Sequence, residues 1–349
     1  MFDISKIDKN FEVKTNIEKG DIKFYNINEV PFNIYGVTLE NGRYRRMPEK
    51  VAQSVSEGVS YLHSDTSGGR VRFVTDSSYV AISVEMQGAG IRPYFALTGA
   101  AGFDLYCDNS YVKTFIPPCN VEKGFESVIE LGEKKLRNLT INFPLYSKVL
   151  KMYIGVSEDA VLKEASPYVN SKPVVYYGSS ITQGGCASRP GRCYQSIISR
   201  RFNCDYINLG FSGNAKAEDE MIEYIKTLDM SIFVYDYDYN ASTVEHLRNT
   251  HEKMFKAIRS EKPSVPIIMM PRPKVELSEE AKERRRIIET TYKNALDAGD
   301  ENVYFIGGET LMELCGDEGT VDGIHPTDFG FASMAKAVGD VIEKNNLLL

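Results

Sequence analysis

From residue 174 onward, short apolar runs and longer amphipathic stretches take turns without a break. Residues 174–177 precede 194–202, 206–209 precede 218–228, 232–236 precede 244–260, 267–270 precede 278–298, and 303–306 precede 330–345. Five β-then-α units of this kind imply parallel strands joined by right-handed crossovers, with helices on both faces of the sheet. Ser278-Glu279-Glu280 opens its helix with a good N-cap and an acidic first turn, and Arg284-Arg285-Arg286 reads as the solvent face of that helix.

The amino-terminal part reads differently. Val71-Arg72-Phe73-Val74, Val80-Ala81-Ile82-Ser83-Val84, Tyr111-Val112-Lys113-Thr114-Phe115 and Ser127-Val128-Ile129-Glu130-Leu131 are short, β-branched or aromatic, and several are separated by turn residues such as Asp108-Asn109. Asn138-Leu139-Thr140-Ile141-Asn142-Phe143 alternates with period two, as a half-buried strand does. Residues 1–165 are therefore expected to be all-β, a sandwich or jelly roll. With a linker over 164–173, the chain of 349 residues divides into that domain and a second over 172–349. The run Gly42-Arg43-Tyr44-Arg45-Arg46 reads as a solvated charged face ahead of a contact with the second domain or a ligand.

Charge excludes some partners. With 41 Lys plus Arg against 48 Asp plus Glu, the net charge is −7 and no long basic block exists, so neither nucleic acid nor an anionic membrane is expected as a partner. Residues 1–20 lack the continuous apolar core of a secretory signal, and the chain reads as soluble and cytoplasmic. Its six cysteines form no Cys-x-x-Cys pair, so reduced thiols are the default; Cys186 and Cys193 are bridged only if geometry permits. The four histidines are His63, His246, His251 and His325; the spacing of five between His246 and His251 suits a helical metal pair poorly.

In a doubly wound sheet the ligand crevice lies beyond the carboxyl ends of the strands, and four loops fall there. The first carries Ser179 and Ser180 in Gly178-Ser179-Ser180, either one a candidate nucleophile, although Gly and Ser are also what polar turns are made of. The second, Gly210-Phe211-Ser212-Gly213-Asn214, has glycines that let backbone N–H groups approach a ligand, as an oxyanion hole requires. The third, Asp236-Tyr237-Asp238-Tyr239-Asn240, ends in an amide that can donate. If the strand continues through it, Tyr235, Tyr237 and Tyr239 share one face, where rings can stack on sugars, at least one of them belonging to the core. The last is Val321-Asp322-Gly323-Ile324-His325-Pro326, where Asp322 and His325 are spaced for a carboxylate that orients an imidazole.

These four loops resemble, in order and spacing, the four blocks of the SGNH (GDSL-like) hydrolase superfamily. Gly178-Ser179-Ser180-Ile181-Thr182 is similar to Gly-Asp-Ser-x-Thr, with Ser179 where the family has Asp. Gly102-Phe103-Asp104-Leu105-Tyr106 resembles the Gly-x-Asp-Leu-Tyr signature of β-sandwich domains that precede some bacterial SGNH esterases. The resemblance implies a flavodoxin-like three-layer α/β domain with a parallel five-stranded sheet behind a β-sandwich. It also implies Ser180 as nucleophile, His325 as base and Asp322 as its orienter, an oxyanion hole of Ser180, Gly213 and Asn240, and neither metal nor cofactor. The third family block reads Gly-x-Asn-Asp, so Asp238 competes with Asn240 for that place, though an ionised carboxylate repels an oxyanion.

The activity implied is a carbohydrate O-acetylesterase, acting on acetylated oligosaccharides such as mannan or xylan fragments. The alternatives are a short-acyl lipase or thioesterase with the same triad and a non-catalytic sugar-binding protein. Nothing in the sequence decides whether the chain forms a homo-oligomer.

Overall fold

The computed structural model describes residues 15–89 and 92–348; most of the stretch read above for a signal, residues 1–14, lies outside them. Two antiparallel sheets form the amino-terminal half. One has the order Ile22–Asn26, Ser147–Ser157, Tyr79–Ala89, Gly124–Glu130. The other runs Leu162–Lys163, Arg70–Thr75, Arg137–Asn142, Phe103–Cys107, Ser110–Phe115, with Asn33–Tyr35 also on Arg70–Thr75. Their inner faces close on Phe73, Phe103, Leu139, Ile141, Val80, Ile82 and Ile154, so the sheets pack as a sandwich. Each fully buried large apolar side chain there contributes roughly 1.5–3 kcal/mol.

The carboxyl-terminal half is a five-stranded parallel sheet. We number its strands β1 (Asn170–Gly178), β2 (Cys204–Gly210), β3 (Ile232–Asp236), β4 (Ile267–Met269) and β5 (Val303–Phe305). Their spatial order is 2-1-3-4-5, the flavodoxin-like order. Alternate residues of each strand feed two separate cores: Val175, Tyr177, Phe233 and Ile267 on one face, Val174, Tyr176, Val234 and Ile268 on the other. Helices Asp219–Thr227, Val244–Glu261 and Glu279–Asp297 cover the first face, and Tyr194–Phe202 with Asp328–Lys344 the second. With both faces buried, these strands carry continuous apolar runs such as Val174–Tyr177 and Ile232–Tyr235, and those runs made them readable.

Three expectations need correction. The amino-terminal part is not all-β: helices Glu49–Val55 and Glu57–Leu62 bury Ala52, Val55, Val59 and Leu62 in the first-face core of the parallel sheet. Apolar residues at 52, 55, 59 and 62 keep the helical spacing, which is the signal for them. Nor is the 42–46 run a solvated face, since Tyr44, Arg45 and Arg46 are buried. Arg46 wedges between the halves, donating to Asp65 O (2.7 Å), Leu62 O (2.7 Å) and Gly210 O (2.6 Å), with its guanidinium 4.8 Å from the centre of the Phe211 ring. Finally, Arg284 turns inward, giving Nη1 to the carbonyls of Asp238 and Ala241, each at 3.0 Å. Arg286 keeps the outer face, while Arg285 pairs with Glu289 and Glu309.

Candidate active site

Strand β1 ends at Gly178 because no larger residue fits: a Cβ there would collide with the Asp236 carboxylate and the Thr182 hydroxyl. Ser179, fully buried, caps the single helical turn Ser180–Gln183 by accepting from Ile181 N at 3.2 Å. The turn closes at Gly184, whose φ of +100° is left-handed. Ser180 is thereby held at the start of the turn, at the carboxyl end of β1, and its hydroxyl donates to His325 Nε2 at 2.8 Å.

The loop that carries His325 is tied shut by a bridge between Thr320 and Pro326, and by Val321 N on His325 O at 2.8 Å. Within it the imidazole Nδ1–H donates to Asp322 Oδ2 at 2.8 Å. Asp322 Oδ1 in turn accepts the amides of His325 (2.8 Å) and Ile324 (3.0 Å). Burial raises the Asp322 pKa, but these hydrogen bonds outweigh it and hold the carboxyl below its usual range. Ser180, His325 and Asp322 thus form one hydrogen-bonded chain.

Gly213 lies in a turn at φ +70°, one residue beyond Ser212, whose N–H donates to Gln183 Oε1 at 3.0 Å. Asn240 Nδ2 donates to Phe211 O at 2.9 Å, which fastens the third loop to the second. Asp238 faces away from the rim: it is buried and gripped by Arg272 through Nε (2.8 Å) and Nη2 (3.0 Å). Asp238 therefore holds the loop from behind, while the partly exposed Asn240 faces the second loop.

Strand β3 stops at Asp236 and a 3₁₀ turn, Tyr237–Asn240, follows. The three tyrosines accordingly do not share a face. Tyr235 and Tyr237 are buried against His251, with ring centres 4.7 and 5.9 Å from its own, and only Tyr239 is partly exposed.

The other histidines are structural. His251 is buried and bonded to Thr291 Oγ1 at 2.9 Å, with its pKa pulled to about 3 by burial. His63 contacts Ser60 O and Arg45 Nη1, each at 2.6 Å, and His246 donates to Lys216 O at 2.8 Å. All six cysteines are free thiols, Cys186 and Cys193 included.

Several residues at the site gave no sign in the sequence, because the sandwich supplies them. Tyr146 OH reaches Ser180 O (3.3 Å) and Ser212 Oγ (2.8 Å), and Tyr94 lays its ring 5.8 Å from that of His325. Asp65 accepts from Gln183 Nε2 at 3.1 Å, with its pKa raised to about 6 by burial against the opposing pull of Arg46 and Lys148. A hollow of about 260 Å³ opens beside Tyr146, lined also by Tyr61, Asp65, Arg92 and Lys148.

Comparison with known proteins agrees with this architecture. Residues 171–343 match the model of the GDSL-like lipase/acylhydrolase family, and residues 22–162 match that of the N-terminus of SGNH-hydrolase-type esterases, named for its GxDLY signature. The chain belongs to the SGNH (GDSL-like) hydrolases, with a GxDLY sandwich ahead of the hydrolase fold, and this supports a carboxylic ester hydrolase.

Among solved structures it is similar to a GDSL-like lipase from Bacteroides ovatus, with 27% identity, TM-score 0.82, and coverage of 93% of this chain and 97% of that one. The fold also matches the salicylyl-acyltransferase SsfX3 of a tetracycline biosynthetic pathway, with 17% identity, TM-score 0.77, and 95% and 99% covered. It matches as well an acetyl xylan esterase from the rumen bacterium Butyrivibrio proteoclasticus, with 13% identity, TM-score 0.62, and 94% and 100% covered. No curated protein matches the sequence.

Proposed function

We propose that the protein is a serine esterase that removes O-acetyl groups from carbohydrate, acting on acetylated oligosaccharides such as mannan or xylan fragments. The observation that carries this reading is the chain of hydrogen bonds from Ser180 through His325 to Asp322, each link 2.8 Å long. In the proposed reaction Ser180 Oγ attacks the ester carbonyl as its proton passes to His325 Nε2, and Asp322 stabilises the imidazolium. The N–H groups of Ser180 and Gly213 and the Asn240 amide receive the oxyanion. His325 then protonates the departing sugar hydroxyl, and water releases acetate from Ser180 by the same path.

Two features favour a sugar ester over a long-chain lipid. The hollow beside Tyr146, whose hydroxyl reaches the Ser180 carbonyl, carries Asp65, Arg92 and Lys148, a lining suited to a hydrated ligand rather than an alkyl chain. A relative in fold, the Butyrivibrio enzyme, is an acetyl xylan esterase.

The test is hydrolysis of p-nitrophenyl acetate against longer acyl esters, together with mass spectrometry of acetylated mannan, xylan and chitin-type oligosaccharides before and after incubation. Acetyl preference, release of acetyl from a glycan and loss of both in Ser180→Ala are expected. A preference for long acyl chains sinks the acetyl reading, and full activity in Ser180→Ala sinks the mechanism.

A further inference from the structure

A second cavity, of about 220 Å³, lies between the sandwich and helix Tyr194–Phe202. It contacts Asn203 and Tyr206 at the start of β2, whereas the serine sits where the parallel strands end, so it is a separate place. Its floor is the outer face of the second sandwich sheet. Arg70 and Arg72 project from one strand there, and Asn138, Thr140 and Asn142 from its antiparallel neighbour, with Arg72 directly opposite Thr140. Tyr106, Tyr168 and Arg200 close the sides.

Three arginines, Arg70, Arg72 and Arg200, line this cavity against one carboxylate, the exposed Asp108 at its edge. Arg70 is matched by an ion pair with Asp205. Arg72 is not: only 5% exposed, its guanidinium rests 4.2 Å from the centre of the Tyr168 ring, and its Nη1 has no hydrogen-bond partner among the described residues. Arg200 donates to the Gly191 carbonyl at 2.7 Å and has no carboxylate partner among the described residues. A buried, unpaired guanidinium is costly unless something anionic meets it.

The cavity also holds an orphaned acceptor. Asn138 Oδ1 is buried without a donor, and Asn138 is the diagonal neighbour of Arg72 on the same sheet face, about 7–8 Å away. Inorganic phosphate satisfies the guanidinium and has only its one or two P–OH groups to offer the amide oxygen, on the same small anion. A carboxylate on a hydroxyl-bearing ring satisfies both, and the Thr140 hydroxyl lies on the same sheet face for a further ring hydroxyl.

We propose that this pocket binds an acidic sugar, one hexuronate residue, with its carboxylate on Arg72 and a ring hydroxyl donating to Asn138. The site stands independently of the esterase reading.

The test is titration calorimetry on the full chain with glucuronate and galacturonate, using glucose and inorganic phosphate as controls. At least one uronate is expected to bind, equally in wild type and Ser180→Ala, with neither control matching it. Arg72→Gln is expected to weaken binding by about tenfold or more, and Asn138→Ala to weaken it too. Because Arg72 is unpaired in the free protein, Arg72→Gln should leave Tm unchanged or raise it, so lost binding cannot be read as lost fold. The proposal is overturned if neither uronate binds, if binding survives Arg72→Gln, if glucose binds as well, or if phosphate matches the uronates without dependence on Asn138. Loss of uronate binding in Ser180→Ala overturns it as well, by placing the ligand at the serine.

Discussion

Ser179 stands where the family pattern has an aspartate, and the structure finds a carboxylate beside it all the same, delivered from the end of β3. Asp236 is buried, faces the Ser179 N–H at 3.4 Å and accepts the hydroxyls of Thr182 and Tyr194. Burial raises its pKa to about 7, with the Thr182, Ser179 and Tyr194 hydrogen bonds opposing the rise. An unfolded chain releases this proton near pH 4, so between pH 4 and 7 the folded state binds more protons. The stability Asp236 contributes is therefore complete below pH 4 and is lost as pH rises through about 7. Denaturant unfolding of wild type and Asp236→Asn at pH 4.5 and 7.5 checks this. Wild type should lose stability relative to the variant across that window by at most roughly 4 kcal/mol, and a parallel pH course excludes the assignment. At the rim, Asn240→Ala should lower kcat by roughly 10²–10³ while costing only about 1 kcal/mol of stability for the lost hydrogen bond to Phe211 O.

Among the elements, the 3₁₀ turn Tyr237–Asn240 decides where Asn240 stands, and two arginines from other segments hold it. Arg272 grips the Asp238 carboxylate and Arg284 the carbonyls of Asp238 and Ala241. Arg272→Ala should cost roughly 1–3 kcal/mol in urea unfolding, since the buried Asp238 carboxylate loses two charge-assisted bonds but keeps Arg284 at 3.6 Å and the residue 272 N–H, and it should also lower kcat by letting Asn240 drift. Unchanged kcat in a destabilised variant would show that the turn does not position the amide. This turn also marks where the sequence ceased to be legible. Strands and helices of the parallel half stood out because apolar runs buried on both faces leave no ambiguity of period. The shared face for Tyr235, Tyr237 and Tyr239 depended on the strand continuing past Asp236, and it does not. Arg284 was misread because its inward turn depends on carbonyls more than 40 positions away. Ser180, Asp322 and His325 could be singled out in the sequence as candidates because each sits in a short loop with local chemistry, whereas Tyr94, Tyr146 and Asp65 come near them only through packing of the halves.

For the whole molecule, the GxDLY segment joins the two halves. Asp104 is fully buried and accepts Arg189 Nη1 (2.9 Å), Gly191 N (2.8 Å) and Asn142 Nδ2 (2.8 Å). Gly191 must lack a side chain there, because a Cβ would meet the Tyr106 hydroxyl and the Asp104 carboxylate. The same hydrolase loop is held on its other side by Asp328, which accepts Ser188 N at 2.9 Å and lies 3.3 Å from Arg192 Nε. Asp328 begins the last helix, three residues after His325. The sandwich is thereby linked to the histidine loop. Asp104→Ala should destabilise the protein by roughly 3–5 kcal/mol, because it strands Arg189 and the Gly191 amide. It should also lower kcat by about 10-fold to 100-fold through displacement of His325, with Ser180 still labelled by a fluorophosphonate, though more slowly. Asp104→Asn, which keeps the volume and part of the hydrogen bonding, should lose less of both. Urea unfolding and single-turnover kinetics of the two variants are the measurement. If Asp104→Ala unfolds at the wild-type midpoint with wild-type kcat, the motif neither clasps the halves nor sets the histidine.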